Sequence, residues 1–184
     1  KSIRPNIKIF LDLKLHDIPN TVCKAILPLV EKIRPYMMTL HSTGGATMMQ
    51  NVVKTLRKIP LNERPLLLGV TVLTSLDSKS LIELGWSSDV NQNVERYALL
   101  CKRAGFDGVI CSALEIEKVR KACGNKFIIV TPGIRINKSD KDDQARVVSP
   151  EEAFNKGTDY IVIGRPVMNS SEPDKEISKI LSLN

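Results

Sequence analysis

Ile7-Lys-Ile-Phe-Leu-Asp12-Leu-Lys14-Leu-His-Asp17-Ile18-Pro19-Asn-Thr21-Val22 is the stretch on which the reading of the chain turns. It opens as an apolar run, Ile7–Leu13, with the branched and aromatic residues that favour a strand. It then collects charged groups and enters Ile18–Ile33. There Val22, Ile26, Leu29, Val30 and Ile33 recur at the three- and four-residue steps of an amphipathic helix. Pro19 suits the first turn of that helix, where its missing N–H costs nothing.

The same order recurs to the end of the chain. Apolar runs at Tyr36–Leu40, Leu66–Leu73, Gly108–Cys111, Phe127–Val130 and Tyr160–Ile163 read as strands covered on both faces, because they are apolar nearly throughout rather than alternating. Helical spacing fills the intervals at Met48–Ile59, Asn91–Ala104, Leu114–Ala122 and Pro150–Asn155, and again at Pro173–Leu181. Ser149-Pro150-Glu151-Glu152 is a strong helix start, with a proline and two acids at the positive end of the dipole.

Strand–helix alternation of this kind specifies a parallel α/β protein. A doubly wound sheet would open on a glycine-rich first turn, and the sequence has no Gly-x-Gly-x-x-Gly. A (β/α)8 TIM barrel instead gathers its chemistry at the carboxyl ends of its strands. Polar residues do follow the apolar runs, at Asp12-x-Lys14, His41-Ser42, Thr74-Ser75, Ser112, Thr131-Pro132-Gly133 and Gly164-Arg165. The barrel is the better reading. It needs eight strands and about 250 residues, so the six runs are expected to be the third to the eighth of its units. Residues 1–184 then read as a single barrel domain that is incomplete at its amino end.

Composition narrows the partners. The 184 residues are 42% hydrophobic and 26% charged, an ordinary globular balance that excludes a disordered chain. No apolar run approaches the roughly 20 residues of a membrane span, and the opening Lys-Ser-Ile-Arg-Pro-Asn has no secretory pattern. A cytoplasmic protein without a membrane partner is expected. The 27 Lys and Arg against 20 Asp and Glu give a net charge of +7. That charge is dispersed, and four Phe, three Tyr and one Trp are few for base stacking. Phosphorylated metabolites fit it better than nucleic acid. Cys23, Cys101, Cys111 and Cys123 form no Cys-x-x-Cys pair and read as small buried thiols rather than zinc ligands. Met37-Met38 and Met48-Met49 read as core.

Asp12 and Lys14, two apart on one strand, are expected on one face at its carboxyl end, with Asp17 in the following loop. Carboxylates beside an ammonium keep it charged and fixed, which makes a positioned proton donor and opposes a further anion. Arg135–Arg146 is polar and about a dozen residues long; it serves equally as a solvated loop or as a lid over a barrel mouth. His41, just past a strand, could line the pocket or simply pack.

Asp12-x-Lys14-x-x-Asp17-Ile18-Pro19-x-Thr21 resembles the signature of the orotidine 5′-phosphate decarboxylase family, in its bacterial branch. The likeness continues in order through Leu40-His-Ser-Thr-Gly-Gly-Ala46, Val70-Thr-Val-Leu-Thr-Ser75, Asp107-Gly-Val-Ile-Cys-Ser112, Val130-Thr-Pro-Gly-Ile-Arg135 and Tyr160-Ile-Val-Ile-Gly-Arg-Pro166. The resemblance implies a lyase that uses no cofactor and no metal. Its reaction converts orotidine 5′-monophosphate to uridine 5′-monophosphate (UMP) and carbon dioxide, in pyrimidine synthesis. It implies Lys14 as proton donor to C6 and Asp12 beside the substrate carboxylate. Asp17, with Ile18 and Thr21, is implied to reach the partner's site across a homodimer interface. Thr74 and Ser75 would face the pyrimidine, while Arg135, Gln144, Gly164 and Arg165 would serve the phosphate; Gln144 favours the lid for its loop. Family members also carry an aspartate and a lysine on two earlier strands, which residues 1–9 do not supply. Two alternatives follow: an inactive barrel remnant that binds or dimerises, and a related metal-dependent sugar-phosphate lyase such as a hexulose-phosphate synthase.

Overall fold

The computed structural model describes residues 7–135 and 148–183. Six strands, β1 (Phe10–Leu15), β2 (Met37–His41), β3 (Leu66–Val70), β4 (Gly108–Ile110), β5 (Ile128–Thr131) and β6 (Tyr160–Ile161), lie in the order β1-β2-β3-β4-β5-β6. The pairs β1·β2, β2·β3 and β5·β6 are parallel. A doubly wound sheet reverses its strand order at a switch point; here every strand lies beside its sequence neighbours, as in successive units of a barrel. The helices are α1 (Pro19–Ile33), α2 (Gly45–Leu56), α3 (Ser78–Glu83), α4 (Val90–Ala104), α5 (Ile116–Cys123), α6 (Pro150–Asn155), α7 (Arg165–Met168) and α8 (Pro173–Leu181).

The chain divides into two compact regions, Lys1–Thr71 with Tyr97–Val109, and Val72–Arg96 with Ile110–Asn184. In the first, α1 turns Val22, Ile26 and Val30 inward and α2 turns Met48, Met49, Val52 and Leu56, all at most 3% exposed. Each such side chain contributes about 1.5–3 kcal/mol relative to exposure. The paired methionines are therefore core, as read. Gly69 on β3 is demanded by packing: a Cβ there would come within 2.1 Å of Cys101 Sγ. The carboxylate of Asp107 accepts the N–H of Leu67 at 2.8 Å and ties the approach to β4 to the start of β3.

In the second region Ile116, Val119 and Cys123 give α5 a buried stripe. Asp77 caps α3 by accepting the Ser80 N–H, and that bond holds its carboxyl below the usual range. Ser149 caps α6 by accepting from Glu152 N–H, as its sequence pattern requires. Cys101, Cys111 and Cys123 are buried, Cys23 only half so, and none of the four forms a disulfide among the described residues. Burial pushes the Cys111 thiol far up, which leaves it an inert packing group.

Three expectations need correction. The first strand is not covered on both faces: Leu13 is 48% exposed and, among the described residues, β1 pairs only with β2. The third strand ends at Val70, short of Leu73. Finally, the run Tyr160–Ile163 is a strand only over Tyr160–Ile161 and is not covered on both faces, Tyr160 being 40% and Val162 37% exposed; α3 and α7, which bury only Leu81 and no residue respectively, carry no stripe to be read.

Candidate active site

The carboxyl end of β1 is where regular structure breaks. Lys14 has φ of 50°, in the left-handed region that non-glycine residues rarely occupy. The register shifts at the same point: Leu11 stands opposite Met38, and Leu15 opposite Leu40. Asp12, Leu13 and Lys14 thus face the single residue Thr39. The period-two argument for Asp12 and Lys14 does not survive this bulge, yet the two side chains meet, with Lys14 Nζ donating to Asp12 Oδ2 at 2.6 Å. Both remain about 40% exposed. Among the described residues Asp12 is the one ion-pair partner of Lys14. An ammonium has three donors, so the pair retains capacity to bind.

Thr39, passed over in the sequence, completes the cluster. It is fully buried, donates to Asp12 Oδ1 at 2.7 Å and accepts the Lys14 N–H at 2.9 Å. Its only sequence signal is a lone threonine inside the apolar run Tyr36–Leu40. His41, at the end of β2, is half-buried, within 3.2 Å of Thr43 Oγ1 through Nδ1, and its ring centre lies 5.3 Å from that of His16. Burial lowers its pKa, aided by the nearby charges of His16 and Lys14. His41 is thus a neutral neighbour of the ammonium at pH 7.

Among the described residues, Asp17, Ile18 and Thr21 make no hydrogen bond or ion pair with this cluster's side chains and lie just after it, in the turn and first turn of α1. All three are exposed, Ile18 to 67%, and Asp17 Oδ1 accepts the Ile18 N–H at 2.6 Å.

The second region holds the remaining candidates. Thr74 and Ser75 lie in the turn after β3, half-buried and exposed respectively. Arg135 follows β5 and is buried, its Nη1 donating to the Ile134 carbonyl at 3.1 Å and its N–H to Val148 O at 3.0 Å. Gly164 precedes α7, and Arg165 opens it with an exposed side chain. Gln144 and the rest of its loop beyond Arg135 lie outside the described residues. Among those described, no group of three His, Cys, Asp or Glu is placed to hold a metal ion, and no helix is long and apolar enough to cross a membrane.

Parallel strands in chain order, with charged and hydroxyl groups at their carboxyl ends, are the pattern of the α/β-barrel class. Residues 1–180 match the family model described as orotidine 5′-phosphate decarboxylase / HUMPS family. The chain is 49% identical over 173 residues to an orotidine 5′-phosphate decarboxylase of Coxiella burnetii, covering 94% of this chain and 73% of the relative. It is 42% identical over 179 residues to that of Legionella pneumophila, covering 97% and 77%. A crystal structure of orotidine 5′-phosphate decarboxylase from Lactobacillus acidophilus superposes with a TM-score of 0.83 at 36% identity, covering 96% of this chain and 75% of that one. The chain belongs to the orotidine 5′-phosphate decarboxylase / HUMPS family.

Proposed function

We propose that this protein decarboxylates orotidine 5′-monophosphate to UMP and carbon dioxide, the carboxy-lyase step of pyrimidine synthesis. The observation that carries the reading is the 2.6 Å Asp12–Lys14 pair on the bulged end of β1, in a chain of this family. Loss of carbon dioxide leaves a pair of electrons in the ring plane at C6. A fixed ammonium stabilises that developing charge more than it stabilises the substrate, and so accelerates the step. Lys14 then delivers a proton to C6. Asp12 holds the ammonium and stands beside the departing carboxylate; its repulsion of the substrate is the smaller contribution.

The other candidates take supporting roles. Thr74 and Ser75 hydrogen-bond the pyrimidine. Arg165 offers its fork of donors to the phosphate, with Gly164 leaving the backbone approachable and Arg135 and Gln144 serving the same end of the nucleotide. The phosphate is remote from the bond that breaks, and its binding energy goes into organising the site. The six strand–helix units correspond to the third to the eighth of the barrel. Asp17, Ile18 and Thr21 enter the site of a second copy across a two-fold axis.

The direct test is UMP formation from orotidine 5′-monophosphate by the protein as encoded, with and without excess chelator. Formation of UMP in both is expected. No product defeats the reading, and loss of turnover in chelator turns it toward the metal-dependent sugar-phosphate branch. The shared site has its own test: Lys14→Ala and Asp17→Ala, each inactive alone, are unfolded and refolded together. With equal random exchange, half of the dimers are mixed and about a quarter of all sites become whole. No recovery despite tagged proof of exchange assigns Asp17 to its own chain's site.

A further inference from the structure

The bulge in β1 sets three residues against one, and the one is Thr39. A lysine at φ 50° does not offer its N–H to the regular parallel ladder, so that part-buried donor needs another acceptor. The Thr39 hydroxyl has one proton to give and lone pairs to receive. It uses both kinds of capacity here: the proton goes to Asp12 Oδ1, at 2.7 Å, and a lone pair takes the Lys14 N–H, at 2.9 Å. Asp12 Oδ2 in turn accepts from Lys14 Nζ at 2.6 Å. The result is a closed circuit that runs from the lysine's backbone through Thr39 and Asp12 to its ammonium. Thr39 is fully buried, as are Met38 and Leu40 on either side of it, and its hydroxyl is held by both bonds.

We propose that Thr39 is a positioning residue of the decarboxylation. Its hydroxyl holds Lys14 in the left-handed conformation and fixes the Asp12 carboxylate, so that the ammonium is presented at one place. The inference rests on the decarboxylase reading and deepens it. Thr39 touches no reacting atom. It acts on the barrier through the aim of Lys14, and binding of the nucleotide's phosphate and sugar is left to other residues. A hydroxyl lost from this position should therefore lower kcat with little change in KM, the pattern of an interaction realised in the transition state. Valine has the shape of threonine without the hydroxyl, and it strands both the Lys14 N–H and Asp12 Oδ1.

The experiment compares wild type, Thr39→Val, Thr39→Ala and Thr39→Ser in the protein as encoded, reading kcat, KM and thermal melting together. Thr39→Val is expected to lose about 10- to 100-fold in kcat with KM within about threefold, and Thr39→Ser to recover most of that loss. A structural role alone would lower the melting temperature and leave kcat of the folded protein intact, which overturns the proposal. A serine variant as slow as the valine variant also overturns it, because then the hydroxyl is not what matters. Thr39→Ala, which leaves room for a water, carries the comparison with Thr39→Ser if the valine variant does not fold. The two failures are distinct: an inactive wild type defeats the decarboxylase reading, whereas an active wild type with an equally active Thr39→Val defeats only the role of Thr39.

Discussion

The Asp12–Lys14 pair in the first compact region and the Arg120–Asp159 pair in the second have the same charges and similar lengths, 2.6 and 2.5 Å. Their surroundings differ. Arg120 is only 15% exposed along its side chain, and its guanidinium spends its donors on fixed acceptors. It reaches the carbonyls of Gly157, Gly124, Asn125 and Phe127 as well as Asp159 Oδ2, which also accepts the Ile129 N–H. Nothing is left over for a ligand. Lys14 sits on strained backbone, is 40% exposed, and donates to one carboxylate among the described residues. A saturated pair stiffens the chain around β5 and β6; an unsaturated one holds a charge ready for something that has yet to arrive. On the proposed function, strain and spare donors together mark Asp12–Lys14 as the catalytic pair and Arg120–Asp159 as the structural one.

The sharpest way to break this comparison is to remove the two cations. Lys14→Ala should reduce turnover of orotidine 5′-monophosphate by about a thousandfold or more, while UMP binding stays within about tenfold. Substantial retained turnover in a steady-state assay removes Lys14 as proton donor. Arg120→Met should do the reverse. It strands the Asp159 carboxylate and several carbonyls, at a cost of about 2–3 kcal/mol in urea unfolding, with kcat per folded molecule unchanged. If Arg120→Met instead slows the chemistry at full stability, the division into structural and catalytic pairs is wrong.

Arg165 extends the contrast within the second region, because it is a cation left exposed after a strand end, unlike Arg120. Arg165→Ala should cost the phosphorylated substrate about 10- to 100-fold in kcat/KM and leave the bare nucleoside orotidine unaffected. Equal losses for both would exclude Arg165 as a phosphate ligand.

The smallest effect concerns His41. Its folded-state pKa lies below the ordinary 6.5 through burial and the charges of His16 and Lys14. The unfolded chain therefore binds the proton more readily than the folded one. Stability from this group is complete above about pH 6.5 and is lost as pH falls toward the folded pKa. The loss should be a few tenths of a kcal/mol, since the ring is only half-buried. His41→Asn should flatten the profile of melting temperature against pH below 6.5; an unchanged slope would show that the fold does not lower the pKa of His41.

The repeated units were legible because burial writes itself into a sequence. A strand between covering layers must be apolar, and a helix over it must carry a stripe, so β2, α1 and α4 could be read from Tyr36–Leu40, Ile18–Ile33 and Asn91–Ala104 alone. Short elements that bury almost nothing, such as α3 and α7, left no such trace. Among candidate site residues, Asp12 and Lys14 were readable as charges at the end of an apolar run. The reason they meet was not: strand periodicity put them on one face, whereas the bulge at Leu11–Leu15 brought them together by another route.

What the sequence determined by itself was therefore the order of strands and helices, the polar character of the strand ends and the family to which the chain belongs. These depend on local patterns of apolar and charged residues, which each segment carries along its own length. What only the tertiary structure decided was the left-handed turn at Lys14, the saturation of Arg120 and the part played by Thr39. Each of these depends on a partner far away in the chain, 25 residues off for Lys14 and Thr39 and 39 for Arg120 and Asp159. A hydroxyl in an apolar run, or an arginine on a helix, has no fixed role until the fold sets beside it the groups whose hydrogen bonds it must complete.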